Sequence, residues 1–191
     1  MRLLLVAYPG AGKGTQAERL ATHYEIAHLS SGDLLRTEVA HKTEVGAAAT
    51  DYLRRGDLVP DALVFQMLSA PILEAATNGG YVLDGFPRTL PQAEVAYSWA
   101  QETEGVELQA VIYLRVGQEQ LLERLRVRAD RDGRTDDDEI TIAHRFKVFE
   151  TQTEPLLDFY SGRGILLDIN GERSVEQVFD DITRAVDGLH A

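Results

Sequence analysis

The chain has 191 residues, no cysteine and a formal net charge of −12. That length suits one domain with a full hydrophobic core, and the missing cysteines exclude a disulfide framework and a thiolate metal site, as expected of a cytoplasmic protein. The acidic balance disfavours a nucleic-acid partner, which calls for a basic face. An acidic chain that binds an anion has to gather its arginines locally, so arginine positions carry information.

The first element is the apolar run at residues 3–7, suited to a buried strand and far too short for a signal segment or a membrane span. No later run reaches membrane length, so no membrane partner is expected. Gly10, Gly12 and Gly14 follow within five residues, with Lys13 among them, and a helical pattern opens at Thr15. Strand, glycine-rich loop and helix form a setting for phosphate binding. Glycines let backbone N–H groups converge on an anion, and the helix N-terminus adds about half a positive charge. Lys13 then reaches terminal phosphates, and Thr15 is placed to ligate Mg²⁺. The run departs from G-x-x-x-x-G-K-[ST] twice: Ala7 holds the first glycine position, and Gly14 stands where the hydroxyl belongs.

Further strand patterns fall at 26–29, 81–84, 110–115 and 165–169, with helical periodicity between them. The alternation predicts an α/β fold: a parallel five-stranded sheet flanked by helices. Leu63, Met67 and Ala70 carry helical spacing up to Pro71, and residues 72–76 resume it. Two stretches do not fit a bare sheet. Residues 30–59 hold two helical patterns, 33–41 and 45–55, and residues 129–136 are polar and turn-like. Ser174 and Gln177 form a capping box for a last helix, whose apolar face of Val175, Val178, Phe179, Ile182 and Val186 reads as core.

Asp84 ends an apolar strand, at the carboxyl edge where ligands bind in open α/β sheets. An acid there resembles the one that holds Mg²⁺, directly or through water, in P-loop proteins. Gly85 permits close backbone approach, Phe86 and Pro87 follow in a stiffened turn, and Arg88 presents a planar fork suited to phosphate. None of His23, His28, His41, His144 and His190 reads as catalytic; all five read as structural or solvent-facing.

The run Pro9-Gly10-Ala11-Gly12-Lys13-Gly14-Thr15 resembles the loop of adenylate kinases and their nucleoside monophosphate kinase relatives. SSGDLLR at 30–36, GDLVPD at 56–61, LDGFPRTLPQAE at 83–94 and DGRTDDDEITIAHRF at 132–146 resemble that family's blocks, in the same order. The resemblance covers residues 3 to 160. It implies one P-loop kinase domain over 1–191, with a helical NMP-binding segment at 30–59 and a lid at about 125–137. The implied activity is reversible, Mg²⁺-dependent transfer of the terminal phosphoryl of ATP to AMP, giving two ADP.

The same resemblance assigns roles. ATP lies on residues 10–15 with Arg124, Arg128 and the backbone of Arg173. AMP lies on Ser31, Arg36, Asp57, Leu58, Val59, Gly85, Phe86, Pro87, Arg88 and Gln92, the last reading the adenine edge. Lys13, Arg88, Arg128, Arg134 and Arg145 act on the phosphates in exchange, with Asp136 and Asp137 orienting arginines. About eight residues separate Arg128 from Asp137, a short lid with no structural zinc expected. A monomer is expected. UMP or CMP remains an alternative acceptor, and a non-catalytic nucleotide-binding module a more distant one; Ala7 and Tyr8, which alter the entry to the loop, Tyr8 being bulkier than the usual residue there, are the features in the module's favour.

Overall fold

The structure is a computed structural model that describes the backbone of residues 1–132 and 139–190 and the side chains of 1–127 and 140–189. Its elements are β1 (Arg2–Val6), α1 (Lys13–Tyr24), β2 (Ala27–Ser30), α2 (Ser31–Ala40), α3 (Glu44–Arg55), α4 (Asp61–Thr77) and β3 (Tyr81–Asp84), then α5 (Leu90–Glu102), β4 (Ala110–Arg115), α6 (Gln118–Asp132), α7 (Glu139–Val148), α8 (Pro155–Ser161), β5 (Leu166–Asn170) and α9 (Val175–Asp187). A π-helical turn, Phe149–Thr153, joins α7 to α8.

The five strands form one parallel sheet in the order β2-β3-β1-β4-β5. β1 is central and buried on both faces, which explains its unbroken apolar run. Leu3 and Leu5 join a cluster with Ala17, Leu121 and Ile182 on one side. Leu4 and Val6 join another with Leu68, Phe86 and Leu156 on the opposite side. The carboxyl ends of β1 and β3 open onto one crevice, where the strand order reverses.

Sheet and helices follow the expected plan, with three corrections. α4 runs through Pro71 without ending, and its fully buried stripe is Val64, Leu68, Ile72 and Ala75, with Leu63 and Met67 partly buried beside it. Packing of that stripe against the sheet outweighs the proline's lost N–H. Of the turn expected at 129–136, residues 129–132 are helical, because α6 continues to Asp132, and 133–136 lie outside the described residues. Val175 is not core: it is 43% exposed at the first turn of α9, while Val178, Ile182 and Val186 are buried. The 30–59 segment is the helical pair α2–α3, closed tightly because Gly46 leaves no room for a Cβ, which would sit 2.2 Å from the Glu38 carbonyl oxygen.

Candidate active site

The phosphate loop is built from backbone. β1 stops at Val6, and Gly10 (φ 88°) and Gly12 (φ 93°) turn the chain into α1. At Gly10 a Cβ would lie 2.8 Å from the Leu125 side chain, so the loop is seated against α6. Gly12 caps α1 without a side-chain hydrogen bond, which leaves the first-turn N–H groups for a ligand. Lys13, a cation at a helix N-terminus, opposes the helix dipole. Its Nζ is held back over the loop, donating to the carbonyls of Ala7 (2.8 Å) and Tyr8 (3.4 Å).

A cavity of about 720 Å³ opens over this loop. Its walls include Lys13, Thr15, Asp84, Arg88, Arg124 and Arg145. Residues from the far ends of the chain thus meet in one place. Arg36 also lines it and is ion-paired with Asp33. Half-buried Arg88 donates from Nε to the Gly85 carbonyl (2.7 Å). Burial pushes its pKa below the ordinary arginine value, Asp84 pulls the other way, and the positive charges of Arg145 and Arg36 add to the depression. Cations gathered against their own repulsion, over free helix N–H groups, make a site for a polyanion.

Ser31 and Arg88 converge on the Gly85 carbonyl, the Ser31 hydroxyl donating at 2.7 Å. Gly85 has φ 85°, and a Cβ there would fall 2.6 Å from the Ser31 hydroxyl oxygen and 2.7 Å from an Arg88 nitrogen. Behind them lies a small cavity of about 30 Å³ lined by Ser31, Asp57, Leu58, Val59 and Gln92. Ser31 is 2% and Gln92 4% exposed. Phe86 is buried against the Phe65 side, and the Phe86–Pro87 peptide is cis. Asp57 turns its carboxylate outward to Arg55 (2.8 Å) and His144 (2.6 Å). Those hydrogen bonds, Arg55's first, hold its pKa below the usual carboxylate range.

On the opposite side of the loop, Arg124 donates to the carbonyls of Ala11 (3.3 Å) and Gly171 (3.0 Å). Arg173 lines the large cavity, and its guanidinium is paired with Asp181 (2.8 Å). The Arg128 backbone belongs to α6, while its side chain, and Arg134, Asp136 and Asp137 altogether, lie outside the described residues. Among the described residues no cluster of three or more metal-ligating side chains occurs, and no helix is long and apolar enough to cross a membrane.

The adenylate kinase family model matches residues 5–165. The chain belongs to the adenylate kinase family. A Bacteroides fragilis adenylate kinase is 41% identical over 189 residues, 99% of this chain and 100% of its own length. A Leptospira biflexa adenylate kinase is 43% identical over 185 residues, 97% of this chain and 99% of its own, and one from Thermobifida fusca is 44% identical over 178 residues, 93% and 94%. Membership of the adenylate kinase family makes the protein a nucleoside monophosphate kinase, a phosphotransferase.

Three residues make contacts that the sequence did not signal. Tyr8 is a prop: its ring lies 3.9 Å from Phe149 and 5.6 Å from Phe146, tying the loop to α7 and the π-helical turn. Burial, then Glu154 and Glu150, pushes its hydroxyl up to about 12, so it is neutral at ordinary pH. His28, in β2, lines the large cavity, and its buried Nε2 has no hydrogen-bond partner among the described residues. His144 bridges α7 to the 56–59 loop. Only three-dimensional proximity reveals such contacts.

Proposed function

We propose that the protein transfers the terminal phosphoryl group of ATP to AMP, reversibly giving two ADP, with the ATP phosphates on residues 10–15 and AMP between Ser31, Arg36, Arg88 and the 57–59 loop. The observation that carries this reading is the cluster of Arg36, Arg88 and Arg145 facing the glycine loop across one cavity. Phosphoryl transfer through a loose, in-line transition state asks for positioning and charge stabilisation. The accepting phosphate oxygen is already ionised near neutral pH, so no general base is needed. Lys13 and the arginines neutralise charge on the equatorial oxygens. Arg128 and Arg134 complete that set, with Asp136 and Asp137 orienting them. Arg124 stacks on the ATP base, beside the backbone of Arg173.

The exposed Thr15 hydroxyl and the half-buried Asp84 carboxylate are hard oxygen donors on adjoining walls, a fit for Mg²⁺. A Cβ at Gly14 would lie only 3.8 Å from the Asp84 carboxylate. Mg²⁺ held there, partly through water, supplies further neutralisation of phosphate charge. Gln92 favours AMP over UMP or CMP, because an amide offers the donor and acceptor that the adenine edge needs.

Water competes as acceptor, so segments 30–59 and 125–137 close over the sheet when both nucleotides are bound. The protein acts as a cytoplasmic monomer, a single domain over 1–191. The test is ADP formation with ATP, Mg²⁺ and each monophosphate in turn. AMP is the expected acceptor; ATP hydrolysis indifferent to AMP would refute the reading. Spectroscopic labels at Thr50 and Val127 should approach on adding a bisubstrate analogue, and an unchanged distance would remove the closure.

A further inference from the structure

We propose that Asp61 is a specificity-setting positioning residue: its carboxylate fixes which way round the Gln92 amide sits, and so which order of donor and acceptor the base pocket accepts. The inference rests on Gln92 facing the base. Gln92 is buried at the start of α5, and its amide is gripped at both ends. The Arg88 backbone N–H donates to Oε1 at 2.7 Å, and Nε2 donates to Asp61 Oδ1 at 2.6 Å. A backbone N–H can only donate and a carboxylate can only accept. A flipped amide would set oxygen against oxygen at Asp61 and N–H against N–H at Arg88, so both contacts select the same orientation.

Each amide atom keeps one unused valence, a lone pair on Oε1 and an N–H on Nε2. Those two face a base in a fixed order. Adenine presents an amino donor beside a ring acceptor. Hypoxanthine has nearly the same shape and presents a carbonyl acceptor beside a ring N–H. A Gln92 free to flip would read either; one held by Asp61 reads only the first. Asp61 sits 31 residues from Gln92, at the first turn of α4, where an acid also complements the helix dipole. That second role alone would leave base choice untouched.

The decisive measurement is the ratio of kcat/KM for AMP to that for IMP, with ATP and Mg²⁺ constant. Asp61→Asn, which offers donors as well as an acceptor, should lower the ratio by about three- to tenfold. The change should lie in the two KM values, with kcat for AMP held within about twofold. Asp61→Glu, which keeps an acceptor-only group, should retain the preference. Gln92→Ala is the control, and should lower the ratio at least as far. If Asp61→Asn keeps the wild-type ratio while Gln92→Ala lowers it, Asp61 sets nothing and the base reading survives. If Gln92→Ala leaves the ratio unchanged, Gln92 does not read the base, and both ideas fall.

Discussion

The two halves of the cavity are made in different ways. The phosphate cradle is backbone: glycine dihedrals, the first turn of α1 and two carbonyls holding Lys13. The side we propose for AMP is a lattice of side chains, with Ser31 and Arg88 on one carbonyl and Gln92 between Arg88 and Asp61. Backbone sites are encoded locally, in residue types that tolerate one conformation. Side-chain lattices are encoded at a distance, by elements that meet only after folding. The cradle should therefore fail by strain and the lattice by lost partners.

The largest effect is expected where the halves share one task. Arg88→Ala should lower kcat by about 10³-fold, roughly 4 kcal/mol of transition-state stabilisation, with the melting temperature little changed. Steady-state kinetics and a thermal melt check this, and a wild-type rate would remove Arg88 from the machinery. Tyr8→Ala should cost about 1–3 kcal/mol in urea unfolding, because the ring against Phe149 is lost, while Tyr8→Phe keeps it.

A matched pair of glycine changes separates strain from lost partners. At Gly12 a Cβ meets nothing within 4 Å, so only φ 93° opposes it. Gly12→Ala should cost about 1 kcal/mol and raise KM for ATP more than for AMP. Gly85→Ala drives Ser31 and Arg88 apart and should raise KM for AMP first. Equal effects on both nucleotides from either variant would dissolve the distinction.

The smallest effect concerns pH. Asp57 has a folded pKa below its ordinary value, so its contribution is present above about 3.9 and lost as pH falls through the lower folded value. The Asp57–His144 bridge should therefore persist at pH 5 as far as Asp57 decides it, and open in stronger acid. A carboxyl titration followed by NMR would reveal an ordinary Asp57 pKa if the bridge does not form in solution.

The same division explains what was legible in the sequence. Apolar runs alternating with helical periodicity placed all five strands to within a residue or two, including the only partly buried edge strands β2 and β5. The phosphate loop was legible for the same local reason. The α4 periodicity was legible, but not which residues lie deepest, because Leu63, Val64, Met67 and Leu68 are all apolar and only the sheet decides which face is inside. Val175 read as core because its hydrophobicity fits the α9 stripe; the helix start leaves it at the cavity rim. The contacts of Asp61 and Tyr8 depend on partners up to about 140 residues away, and no spacing rule reaches that far.

The central claim is that one cavity holds both phosphate tails, between the loop and the arginine cluster. Competition binding tests it most directly: a labelled adenosine–pentaphosphate–adenosine is bound to the protein, then ATP and AMP are added separately. Binding of one molecule per chain, displaced by either nucleotide, is the predicted result. Displacement by ATP alone, with AMP leaving the label in place at any concentration, would contradict it.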